Sequence, residues 1–183
     1  VRQQFSTLAK DNFVFIDDSQ AGNSLNGYVV LSYQDFLATP NTHKAVTIAI
    51  ANSQVREKLV QRLNEDQIQH LDVHAGNTVI LDEVHIGEGS LLCPFTCLTS
   101  NIKIGKFFHA NIYSYVAHDC VIGDYVTFAP GVKCNGNIHI EDHAYIGTGA
   151  VIKQGTPDKP LVIGKGAVVG MGAVVTKSVP PGV

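Results

Sequence analysis

No run of eighteen apolar residues occurs in this 183-residue chain, so no segment reads as a transmembrane helix. No charged, apolar and small-residue series of the signal-peptide kind opens it. Basic blocks are missing too: net charge is −3, which gives nucleic acid and anionic membranes no long-range attraction. Cysteine is sparse. Cys93 and Cys97 form a close pair, but no second Cys or His pair follows at zinc-finger spacing. Four thiols without a disulfide framework suit a reducing cytoplasm. Also missing is the Gly-rich turn that usually opens a nucleotide-binding α/β domain. Together with Val1 as first residue, this leads us to expect that strand and turn upstream. What the chain does have is 45% apolar and 16% charged residues, enough for a sizeable core.

Most of that apolar content is periodic. Every sixth residue from Ile80 to Ile152 is apolar, and the register resumes at Ile163, Val169 and Val175 after one interruption, Gly155–Pro160. The interruption is a turn-forming cluster suited to a loop bulging from a coil. The following position is often small, as at Gly87, Gly105, Ala117, Gly123 and Gly147, which suits a tight corner. A larger period of eighteen, seen at Ile86, Ile104, Ile122 and Ile140, makes three sextets one triangular coil of parallel strands. The expected architecture is mainly β: a parallel β-helix over 71–183. Such a solenoid points to an enzyme, with a binding scaffold as the alternative.

Residues 1–70 read as a small Rossmann-like α/β unit. Asn12–Ile16 and Lys44–Ala51 are β-like runs. Ser32, three before Asp35, predicts a capped short helix; Asn52 or Ser53 caps a second with Val55, Leu59, Val60 and Leu63 as its apolar stripe. The first ten residues resemble the end of another helix. Ligands of parallel sheets bind beyond the carboxyl ends of the strands, where Asp17, Asp18 and Asn52 fall. Carboxylates there hydrogen-bond ribose or a base edge, or are ordinary turn residues before Gly22.

Of eight histidines, His118 is distinctive. It follows the inward Val116 and the small Ala117, which puts it on an outward corner beside Asp119. A carboxylate there favours and orients the imidazolium, the arrangement of a general base; the alternative is a solvated polar corner.

The run Ser114–Asp124, continued by Gly131–Asn137, with Phe15–Asp18 and Ile48–Asn52 in front, resembles the bacterial sugar acyltransferases of the PglD and NeuD types. The resemblance implies a left-handed helix, a homotrimer with active sites between subunits, and acetyl-CoA as co-substrate without a metal. It implies N-acetylation of a UDP-linked 4-amino-4,6-dideoxy sugar, a bacillosamine-type precursor of protein glycosylation. His118 then matches the general base and Asp119 its acidic neighbour. Asp17 and Asp18 match residues holding the uridine part, Ala51 and Asn52 line that pocket, and Asn111 meets the sugar. Thr127, Gly136, Thr148, Gly170 and Met171 match positions along acetyl-CoA. Sugar or sialic acid O-acetylation and a non-catalytic nucleotide-sugar module are the alternatives. A γ-carbonic-anhydrase-like zinc site fits less well: His139 and His143 are close, but no histidine stands two coils before either.

Overall fold

The computed structural model describes residues 1–41 and 43–183. They divide into two compact units, 1–44 and 45–183. Among the described residues no helix is long and apolar enough to cross a membrane.

In the first unit, β1 (Phe15–Ile16) pairs in parallel with β3 (Tyr28–Leu31), and β2 (Ser24–Leu25) pairs with β3 antiparallel. The β2–β3 turn is Asn26–Gly27, both at positive φ (51° and 75°), the conformation that two-residue hairpins favour. Helix α1 (Tyr33–Ala38) is capped by Ser32. Its hydroxyl accepts from the Asp35 amide and donates to the Asp35 carboxylate at 2.6 Å, as the spacing predicts. The expected N-terminal helix is instead a series of turns and one 3₁₀ turn, Lys10–Asn12, which has no buried residue to hold a longer helix. Beside the parallel β1–β3 pair, the Asn26–Gly27 hairpin sets β2 antiparallel on the other edge of β3, so this sheet is mixed and not purely parallel.

The second unit opens with β4 (Ala45–Val46), α2 (Ser53–Glu65) and β5 (Gln69–His70), with β4 and β5 parallel. Asn52 caps α2, its side-chain oxygen accepting from the Val55 amide at 3.0 Å. The helix buries Ser53, Arg56, Val60 and Leu63 and leaves Val55 exposed, so an arginine occupies the expected apolar stripe.

From Val73 the chain winds into three parallel sheets of six, six and five strands among the described residues. Leu98 pairs with Val116, Val116 with Cys134 and Cys134 with Ile152, a step of eighteen each time. These side chains stack inward and are almost wholly buried, with Phe108 and Phe128 meeting edge to face at 5.2 Å. Ile80, on the first coil, is 40% exposed. After Ile152 the step lengthens to twenty-three. The amides of Gly155 and Leu161 bond the carbonyls of the adjacent residues Gly136 and Asn137, so the chain between loops out and returns to the same place. A Thr156–Lys159 bridge closes that excursion.

The small residues after the inward position serve a purpose other than turning. The corners are turned by residues at positive φ, and Gly87, Gly105, Gly123 and Gly147 are not among these. A Cβ at Gly87 would lie 2.7 Å from the Gly105 carbonyl carbon, and one at Gly147 2.6 Å from the Met171 amide nitrogen. Glycine lets neighbouring coils approach. The turning residues include Phe107, Tyr125 and His143, whose rings stack with centroids 5.3 and 5.2 Å apart.

His109 faces outward from its strand yet is only 5% exposed, and its Nε2 has no hydrogen-bond partner among the described residues. Burial, with the Arg56 charge adding to it, holds its pKa down to about 3, against an opposing hydrogen bond with the Ile48 backbone. The folded form therefore excludes a proton that the unfolded form takes up below about pH 6.5, so stability present above that pH is lost as pH falls toward 3. Between pH 7.5 and 5 the loss is expected to reach about 2 kcal/mol from this group. Urea midpoints of wild type and His109→Gln at the two pH values measure it; equal pH slopes would remove His109 as the cause.

Candidate active site

At the corner between the second and third sheets, Glu83, Asn101, Asp119 and Asn137 recur every eighteen residues, all with φ between 54° and 58°. Asn and Asp tolerate this left-handed conformation better than most residues. It turns the chain at Asp119 so that its carboxylate comes back to the preceding side chain. His118 Nδ1 lies 2.7 Å from Asp119 Oδ2, and Asn101 Nδ2 donates to Asp119 Oδ1 at 3.2 Å. The His118 and Asp119 side chains are both slightly under half exposed. The contact with His118 first, and that with Asn101 second, hold the Asp119 carboxyl below its ordinary range. An ionised carboxylate only accepts, so Nδ1 carries the proton and the neutral ring's basic lone pair is on Nε2.

Gly136 is the floor beneath this ring. A Cβ there would lie 2.5 Å from His118 Cε1 and 2.6 Å from Nε2. The imidazole edge thus occupies the place a side chain would take. The Gly155 excursion leaves from the next coil of the same corner. His118, Asp119 and Gly136 are therefore brought together. Asn111, Thr148, Gly170 and Met171 lie instead on the corner between the first and second sheets. There the Asn111 amide donates to the Phe128 carbonyl at 3.4 Å, tying one coil to the next. Thr148 and Gly170 are exposed, and Met171 is 82% exposed.

Thr127 is corrected by its surroundings. It is buried; its hydroxyl donates to the Ala51 carbonyl at 3.1 Å and accepts from Arg56 Nη2 at 3.0 Å. That takes its side chain out of the cofactor set. Ala51 and Asn52 are both exposed, the first lending its carbonyl to Arg56 and Thr127 and the second capping α2. In the first unit Asp17 Oδ1 accepts from the Ser19 amide and hydroxyl, which lowers its pKa, and Asp18 Oδ1 accepts from the Tyr33 amide at 2.7 Å.

Arg56 and Asn101 are the residues that sequence reasoning missed. Arg56 is fully buried. Its guanidinium reaches the carbonyls of Ile50, Ala51, Phe107 and Tyr125 as well as Thr127. Its signal was present: a cation four before Val60 on the apolar side of α2. Among the described residues no group of three or more His, Cys, Asp or Glu side chains is arranged to hold a metal.

Comparison with known proteins adds the family. Residues 3–63 match the PglD N-terminal domain, and residues 101–136 match the bacterial transferase hexapeptide (six repeats). The chain is 54% identical over 170 residues to the GDP-perosamine N-acetyltransferase of Escherichia coli O157:H7, covering 93% of this chain and 77% of that one. WeeI from Acinetobacter baumannii AYE superposes with a TM-score of 0.99 at 82% identity, over all of this chain and 86% of that one. The acetyltransferase domain of PglB from Neisseria gonorrhoeae FA1090 shares the fold, with a TM-score of 0.66 at 22% identity over 91% of this chain and 80% of that one. With a corner histidine on a hexapeptide β-helix behind a PglD-type front domain, the chain belongs to the sugar N-acetyltransferases and is an acyltransferase.

Proposed function

We propose that the chain transfers the acetyl group of acetyl-CoA directly to the amine of a UDP-linked 4-amino-4,6-dideoxy sugar, with His118 as general base. The observation that carries the base assignment is the His118–Asp119 pair, which leaves Nε2 as the basic atom over Gly136. The amine nitrogen attacks the thioester carbonyl and His118 Nε2 takes its proton. The C–S bond then breaks, and the proton passes to the departing sulfur. A backbone N–H near Gly136 supports the developing oxyanion. No covalent enzyme intermediate is required. Asp17, Asp18, Ala51 and Asn52 hold the nucleotide, Asn111 meets the sugar, and Gly136, Thr148, Gly170 and Met171 lie along acetyl-CoA. Exposed apolar side chains at Val168, Met171 and Val174 support assembly into a homotrimer. Free cysteines support a reducing, cytoplasmic setting.

A second reading of the nucleotide is favoured by the GDP-perosamine relative at 54% identity. Its N-acetyltransferase activity also counts against O-acetylation and against a binding module. A thiol-release assay with acetyl-CoA decides between the nucleotides. Release with a UDP-4-amino sugar and not with GDP-perosamine would support the UDP assignment. Release only with GDP-perosamine would overturn the UDP assignment, and release with neither would overturn the acceptor class.

A further inference from the structure

We propose that Asn101 is a positioning residue of the acyl transfer: its amide fixes the Asp119 carboxylate so that Oδ2 meets the base, His118. The inference rests on the reading of His118 as base. Asn101 and Asp119 occupy the same corner position on successive coils. Their own amides bond the Asp82 and Ser100 carbonyls at 3.2 and 3.1 Å, so the backbone holds the two side chains in register. Asn101 Nδ2 then donates to Oδ1 at 3.2 Å while Oδ2 engages Nδ1 at 2.7 Å. A carboxylate so held is anchored at both oxygens. A need for positive φ alone explains glycine, asparagine or aspartate at 101 equally well; the amide aimed at Oδ1 is what singles out asparagine.

The charged and titratable groups around the pair are few. Cys120 follows it in the chain, its thiol donating to the Asn135 carbonyl at 3.2 Å. Glu83 holds the same corner position one coil before Asn101; its carboxylate is largely exposed and lies 3.9 Å from His85. Neither supplies a second donor to Asp119.

Two variants separate positioning from backbone geometry. Asn101→Gly keeps the left-handed corner and deletes the amide. Its kcat is expected to fall about fivefold, the rate equivalent of one hydrogen bond, with the KM for acetyl-CoA and the melting temperature nearly unchanged. Asn101→Asp keeps size and corner but sets a second carboxylate beside Asp119. The acid limb of the kcat/KM–pH profile is expected to move upward, because added negative charge favours the imidazolium. Wild-type kcat and pH profile in both variants would overturn the positioning role. So would a loss confined to melting temperature. Full activity in His118→Ala would overturn the base assignment beneath it, whatever the Asn101 variants do.

Discussion

His118→Ala is expected to lower kcat by about two to four orders of magnitude while the circular dichroism spectrum stays that of wild type. The side chain is just under half exposed on a corner. Turnover, by contrast, would lose the proposed base. Gly136→Ala tests the same ring from beneath. The added Cβ would stand 2.5 to 3.0 Å from three imidazole atoms. Gly136 is not at positive φ, so alanine suits its backbone. The ring, the far end of a side chain, must swing aside, which in stability costs chiefly its contact with Asp119. Displacing a catalytic group by about 1 Å is expected to cost up to about a hundredfold in rate. Thiol release with the best nucleotide sugar measures both. Unchanged turnover in His118→Ala would remove the histidine from the reaction. Loss in His118→Ala with none in Gly136→Ala would mean that the ring works from another position.

How much of this was legible depends on whether the governing interaction is local. The inward column from Leu92 to Val175 was readable because a narrow prism accepts only apolar side chains there. The Ser32 and Asn52 caps were readable because each is one side chain meeting an amide three residues on. Phe107, Tyr125 and His143 were not, since large residues at positive φ run against local preference. Stacking from coil to coil compensates the cost, and that depends on residues eighteen positions away. His118–Asp119 was visible as neighbours, but its third member, Asn101, is again eighteen residues off. Thr127 illustrates the opposite failure. Resemblance placed it along acetyl-CoA, whereas Arg56, seventy-one residues earlier in the chain, uses its hydroxyl.

Arg56→Ala is expected to cost about 3–5 kcal/mol of stability, roughly 10 °C or more in melting temperature for a unit of this size. Burial pulls the guanidinium pKa down to about 10, so it remains charged at neutral pH. Among the described residues its hydrogen-bond partners are four backbone carbonyls and the Thr127 hydroxyl, with no carboxylate. Two of those carbonyls, Phe107 and Tyr125, belong to the stacked left-handed corner, and two, Ile50 and Ala51, to the approach to α2. One side chain thus ties the segment proposed to line the nucleotide pocket to two coils of the β-helix. Truncation strands several buried acceptors at once, which is costlier than losing the same number of surface bonds. Arg56→Lys keeps the charge but offers three donors from one point, so it is expected to recover only a minor part. Urea denaturation followed by helix signal measures the loss. If Arg56→Ala costs under about 1 kcal/mol, Val60 and Leu63 alone hold α2 on the β-helix, and the arginine serves the Ala51–Asn52 segment instead; a raised KM for the nucleotide sugar at unchanged stability would then be its signature.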